Sequence, residues 1–211
     1  MLIPPQVFKT VGCSSNDHAR ITLQSVLFER DASGKPRAIA TNGKRLAVTT
    51  WTEDDHQDFP NVGLNLDPKE GFSVVVPDTA CKELAKTKPA PCTKPVLNNV
   101  ALDENTVNGT ATFASTDLDI TRKTEPRILV DSYPDYAGCL ERVRSDATTK
   151  CRINPFELLE SLKTLIAVTG LKKSDGEFID VYASTDRPIE FHYLTSGDVE
   201  SSVYTMPVVN E

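Results

Sequence analysis

Apolar residues recur along this chain in two rhythms. The clearest helical one is Leu158, Leu159, Leu162, Leu165 and Ile166, which fall on one face of a 3.6-residue repeat. Glu157, Glu160, Ser161, Lys163 and Thr164 fall on the opposite face. Asn154 is placed to cap this helix, Pro155 takes its first position, and Glu157 stands where a capping box has its acid. Gly170 ends it. A second helix is expected from about Asp78 to Lys86, burying Cys81, Leu84 and Ala85, with Pro89 and Pro91 preventing continuation. A first, weak helix is marked by Val7, Phe8 and Val11 and cut short at Gly12. Each helix follows an aliphatic residue and a proline: Ile3-Pro4-Pro5, Val76-Pro77 and Ile153-Asn154-Pro155. These sites recur about every 75 residues, which suggests three copies of one unit.

Strand patterns fill the rest. Ile21, Leu23 and Val26-Leu27-Phe28 read as one strand, turned at Ala32-Ser33-Gly34. Ile39-Ala40 and Leu46-Ala47-Val48 are strands joined at Asn42-Gly43, a dipeptide in which both residues tolerate positive φ. Glu53 to Asp67 reads as a polar, acidic linker. Phe72 to Val76 leads into the second helix. Val96 to Leu102, Val107 to Ser115 and Leu118 to Thr124 follow as a meander, with turns at Asp103-Glu104-Asn105 and Ser115-Thr116-Asp117. Phe178 to Ala183, Ile189 to Leu194 and Val199 to Val208 repeat it, with a last hairpin at Ser196-Gly197-Asp198. The expected fold is α+β: three repeated units of one helix plus three to four antiparallel strands, helices on one face. Two units (1–68 and 69–147) make a domain over 1–147, and the third makes half a domain over 148–211.

Composition narrows the function classes. The chain has 211 residues, 23 basic and 30 acidic, for a net charge of -7. An acidic total argues against coating nucleic acid with the whole surface, but leaves room for a local basic face. No apolar run approaches the roughly 20 residues of a membrane span, and Met1-Leu2-Ile3-Pro4-Pro5 does not start like a signal peptide. Cys13, Cys81, Cys92, Cys139 and Cys151 are scattered, with no Cys-x-x-Cys, and read as reduced thiols of a cytoplasmic protein. Catalytic patterns are thin. Glu53-Asp54-Asp55-His56-Gln57-Asp58 is the one dense acidic cluster and reads as a solvated loop rather than a metal site. His18 and His192 lack partners at a recognisable spacing, and Asp117 and Asp119 read as a surface pair on one strand face. There is no Gly-rich phosphate loop or nucleophile elbow. The expectation is a protein without catalysis, metal or cofactor.

Four stretches carry a resemblance. Ala40 to Ala47 reads Ala-Thr-Asn-Gly-Lys-Arg-Leu-Ala and resembles the Ala-Thr-Asp-Gly-His-Arg-Leu-Ala of the bacterial DNA polymerase III beta sliding clamps, with Asn42 and Lys44 substituted. Leu23 to Phe28 is similar to the clamp strand that precedes that motif. Tyr133-Pro134-Asp135-Tyr136 resembles the clamps' Phe-Pro-Asp-Tyr. Val203-Tyr204-Thr205-Met206-Pro207-Val208 resembles their C-terminal tail, whose core is Met-Pro and a hydrophobic residue. Order and rough spacing agree from Arg20 to Pro207.

The resemblance implies a DNA-clamp-like fold and a hydrophobic pocket that takes a Gln-Leu-x-Leu-Phe-like peptide from DNA polymerases, the clamp loader or repair proteins. At matching positions the pocket uses Thr41, Gly43, Arg45, Leu46, Pro134, Tyr204, Met206 and Pro207, with Lys44 and Val208 aligned but altered. Two departures stand out: Ala137-Gly138-Cys139 replaces two basic residues and an aliphatic one, and Tyr204 replaces a small aliphatic residue. A clamp chain has six units and two chains close a ring of twelve, whereas this chain has three. Three units can close the same ring as a homo-oligomer of four chains. If the ring encircles double-stranded DNA, Lys82, Lys86, Lys88 and Lys163 are the candidates to face phosphates. The alternative is a decoy or regulator that competes with a true clamp for its partners without encircling DNA. Read locally, the same lysines are solvated helix faces, and Leu46, Tyr204 and Met206 are ordinary core.

Overall fold

The computed structural model describes the chain apart from residues 18, 67–70, 87–93, 106–107, 130–131, 139, 141–152, 172–178, 184–187, 195–198 and 206–211. Lys88, Met206, Pro207, Val208, Cys92, Cys139, Cys151, His18 and the Ser196-Gly197-Asp198 hairpin therefore lie outside the described residues.

Three sets of elements follow one plan, a helix and then three strands. In the first, strand β1 (Leu2–Ile3) precedes a 3-10 helix (Pro5–Cys13) and strands β2 (Ser25–Arg30), β3 (Pro36–Thr41) and β4 (Arg45–Trp51). In the second, β5 (Ser73–Pro77) precedes helix α1 (Asp78–Leu84) and strands β6 (Val100–Asn105), β7 (Thr110–Thr116) and β8 (Thr121–Thr124). In the third, helix α2 (Pro155–Thr169) precedes β9 (Asp180–Tyr182), β10 (Ile189–Leu194) and β11 (Val199–Thr205).

Two antiparallel sheets result. One has the order β1-β6-β7-β8 and the other β5-β2-β3-β4-β11-β10-β9. The first two sets exchange their leading strands: β1 pairs with β6, and β5 pairs with β2. The third set joins by its last strand, β11 on β4, with Tyr204 opposite Leu46 and Val199 opposite Trp51. The helices pack on one face of the long sheet. That core holds Phe8, Phe28 and Phe113 in mutual edge and tilted contacts, with ring centroids 5.8–6.0 Å apart.

Several local expectations are corrected. The first helix is 3-10 and runs through Gly12 to Cys13. Ile21–Leu23 is a 3-10 turn, not strand, and Val96 lies in another, Pro95–Asn98. Asp103-Glu104-Asn105 continues β6, because its backbone pairs with β7. Asp117 and Asp119 sit in the turn before β8: the Asp117 carboxylate accepts the N–H groups of Asp119 and Ile120, which hold its pKa below the usual carboxylate value. The Glu53–Asp67 linker is only partly solvated. Phe59 and Val62 from it are buried with Leu2, Val96, Leu97, Ala101 and Ala114 on the second sheet.

Helix α2 carries the largest correction. Asn154 caps it as expected, Oδ1 accepting the Phe156 N–H at 2.9 Å, and Gly170 ends it with φ 73°. Its buried residues, however, are Ser161, Thr164, Leu165 and Val168, while Leu159 and Ile166 are about half exposed. The helix is rotated from its apolar stripe. Ser161 and Thr164 can face inward because their hydroxyls donate to the carbonyls of Glu157 (2.8 Å) and Glu160 (3.0 Å). Ser161 Oγ also meets Thr205 Oγ1 at 2.6 Å.

Candidate functional site

The hairpin between β3 and β4 is built by side chains. Only Gly43 takes a positive φ, 85°. Asn42 acts instead through its amide, whose Oδ1 accepts the N–H groups of Lys44 (2.9 Å) and Arg45 (2.8 Å). Thr41 Oγ1 donates to the Arg45 carbonyl at 2.7 Å and accepts the Gly43 N–H at 3.1 Å. Strand alternation then turns Leu46 and Val48 to the face away from the helices, where they cluster with Leu27, Ile39, Val75 and Tyr204.

A chain segment lies across that face. The Tyr133 hydroxyl donates to the Ile39 carbonyl at 3.2 Å. The Tyr136 hydroxyl donates to Glu29 and accepts from Arg37 Nη2 at 2.7 Å, with the Arg37 guanidinium 5.4 Å over the Tyr136 ring. The two tyrosine rings meet edge-on at 6.4 Å. Burial pushes both phenols well above the usual tyrosine range, and for Tyr136 the Glu29 carboxylate adds to it. Both tyrosines are therefore neutral anchors, and they fix Pro134 between them.

These elements enclose one cleft of about 200 Å³ at the β4–β11 junction. It brings together Thr41, Gly43, Lys44, Arg45 and Leu46 from the hairpin, Pro134 from the crossing segment and Tyr204 from β11. Leu23, Asp135, Tyr136 and Pro188 complete the lining and were not named from the sequence. Leu23, Asp135 and Tyr136 were readable, since they lie in stretches already singled out. Pro188 carries no such signal, because it reaches the cleft only through the pairing of β10 with β11. A groove along Arg20, Ile21 and Thr22 shares Leu23 and Pro134 with the cleft and lengthens it.

Arg45 ties the cleft to α2. Its Nε lies 3.0 Å from Glu157 Oε2, with both side chains largely buried. The N–H is not aimed at that oxygen, and Arg45 Nη1 is buried without a hydrogen-bond partner. Glu157 thus serves an ion pair, not a capping box.

Of the lysines expected to face phosphates, Lys82 and Lys163 lie on different helices and each pairs with an acid of its own helix. Lys82 Nζ is 2.5 Å from Asp78, and Lys163 Nζ is 2.7 Å from Glu160. Lys86 is exposed just after α1. In the acidic cluster, Glu53 accepts hydrogen bonds from the Leu2 N–H at 2.6 Å and from Arg30, and meets His56 Nε2 at 3.0 Å. Among the described residues no group of three or more His, Cys, Asp or Glu is placed to hold a metal ion. His192 does have partners: Nδ1 lies 3.0 Å from Ser202 Oγ, which donates to the buried Glu190 at 2.9 Å. Cys13 and Cys81 are buried free thiols, Cys13 raised to about 11 by burial. No described helix is long and apolar enough to cross a membrane.

No protein-family model and no curated protein sequence matches the chain. Solved structures do. A DNA polymerase III subunit beta from Borrelia burgdorferi, in complex with a natural product, aligns with TM-score 0.65 at 13% identity, over 100% of this chain and 64% of that one. A DNA polymerase sliding clamp from Pseudomonas aeruginosa, with ligand, aligns with TM-score 0.62 at 15% identity, over 100% and 66%. A DNA polymerase III beta subunit from Thermotoga maritima gives 0.58 at 16% identity, over 98% and 63%. This chain therefore spans just under two thirds of the length of each. Its fold, two strand-exchanging units with a third joined by its last strand, is that of the bacterial DNA sliding clamps.

Proposed function

We propose that this chain is a non-enzymatic, clamp-like protein of the cytoplasm that binds replication or repair proteins through the cleft at the β4–β11 junction. The ligand is a short peptide of the Gln-Leu-x-Leu-Phe type, carried by a DNA polymerase, a clamp loader or a repair protein. One observation carries the reading: four separated segments, Leu23, Thr41–Leu46, Pro134 and Tyr204, meet around one small cleft with apolar walls. A cavity of this size takes one or two apolar anchors and leaves the rest of the peptide to the adjoining groove. The backbone at Gly43 carries no side chain to block close approach.

The test is fluorescence anisotropy with a labelled Gln-Leu-x-Leu-Phe peptide. Binding in the micromolar range that is lost in Leu46→Asp supports the cleft. Absence of binding at high micromolar peptide overturns it. Tyr204→Val, which restores the smaller residue of the clamp pattern, is expected to tighten binding several-fold.

A second reading concerns DNA. Pairing of Lys82 and Lys163 with acids on their own helices, together with the net charge of -7, favours a protein that competes for clamp partners over one that encircles duplex DNA. Retention of closed circular DNA that weakens steeply with salt would favour encirclement instead.

A further inference from the structure

The two sheets have four outer edges, β1, β8, β5 and β9. Three are protected. On β1, the outward N–H of Leu2 donates to Glu53 and its carbonyl accepts Trp51 Nε1 at 2.8 Å. On β5, the Val75 carbonyl accepts the Leu129 N–H at 2.9 Å. On β8, Thr121-Arg122-Lys123-Thr124 presents an exposed, charged strand, which discourages pairing. Among the described residues, edge β9 carries a single charge, Asp180, and no capping side chain or crossing segment. Its described residues pair only with β10, and it exposes Val181 (53%) and Tyr182 (41%).

Helix α2 is open on the same side. It packs on β4, β11 and β10 and, along one flank, on the 3-10 helix. The other flank carries Leu159 and Ile166, with Phe156 at 75% exposure near its start. Of the eight large apolar residues exposed among the described ones, five lie on α2 and β9. That concentration separates this surface from scattered surface apolar residues, which need no explanation.

The first two sets show what belongs there. In them β5 adds to the outer edge of β2, and α1 packs beside the 3-10 helix. By position in the plan, β9 corresponds to β2 and α2 to the 3-10 helix. The missing occupant is therefore another set of the same construction. The exchange between the first two sets is reciprocal, so their relation is that of a two-fold axis, and a surface completed across a two-fold axis can be completed by its own copy.

We propose that the third set pairs with the third set of a second copy of this chain, α2 against α2 and the β9 edges closed, to form an isologous dimer. This interface goes beyond the peptide-binding reading and does not depend on it.

The test is light scattering on the 211-residue chain across concentration, with the double variant Leu159→Asp, Ile166→Asp. The wild-type chain is expected to reach twice the monomer mass by about 100 µM. The variant is expected to stay monomeric with an unchanged far-ultraviolet circular dichroism spectrum and unchanged peptide affinity. A wild-type monomer at that concentration, or a variant that still dimerises, overturns the proposal. Should the variant misfold, hydrogen exchange in the wild-type chain decides. Slower exchange of peptides covering α2 and β9 at high concentration supports the dimer, and exchange independent of concentration there overturns it.

Discussion

Arg45 holds two positions at once: its backbone closes the hairpin, and its guanidinium meets Glu157 under the cleft. A largely buried ion pair contributes little over an apolar pair, but its half-removal strands a charge. Arg45→Ala is expected to cost about 2–4 kcal/mol in urea denaturation, while Arg45→Met with Glu157→Leu costs clearly less. Glu53 makes a pH prediction. Burial raises its pKa, but hydrogen bonds from the Leu2 N–H, His56 and Arg30 outweigh that and leave it below the ordinary 4.5. A carboxyl depressed in the folded state contributes stability that is full above its unfolded value and lost as pH falls through the folded one. Urea midpoints measured from pH 7 to pH 3 should therefore drop below about pH 4.5 in the wild-type chain, and Glu53→Gln should flatten that limb.

Among elements, the contact of α2 with the 3-10 helix is the tightest to test. A Cβ at Gly12 would lie 3.0 Å from Thr164 Oγ1. That hydroxyl is committed to the Glu160 carbonyl, so it cannot swing away without losing its bond. Gly12→Ala is expected to destabilise by about 1–3 kcal/mol although alanine is the better helix former. Adding Thr164→Ala should recover most of the loss, as read from thermal melts. Buried hydroxyls beside it tell the same story: Thr10 Oγ1 meets Thr49 Oγ1 at 2.9 Å, which meets Ser201 Oγ at 3.2 Å. Small residues let both helices sit close over the β4–β11 seam.

For the whole molecule, that seam decides cooperativity. The third set shares one sheet and one core with the first. Unfolding should therefore be a single transition. Fluorescence of Trp51, the only tryptophan and fully buried opposite Val199 on the seam, and circular dichroism, which averages over every element, are expected to give the same urea midpoint. Separate midpoints would mean that the third set unfolds on its own.

The sequence by itself determined the Asn154 cap, the proline starts of the helices, most strands and the repeat, because capping, proline placement and strand alternation act over a few residues. It also carried the hairpin and Pro134 side of the cleft, through short motifs. Only tertiary structure decided which face of α2 is buried. Ser161 and Thr164 read as polar until their hydroxyls find carbonyls one turn back, and the apolar stripe cannot say which neighbour it faces. Only tertiary structure, too, brought Pro188 to the cleft, turned the acidic linker into a lid on the second sheet and, among the described residues, left β9 paired on one side alone. Those outcomes rest on pairings between strands far apart in the sequence, above all β11 on β4 and β1 on β6, and no local spacing encodes such pairing.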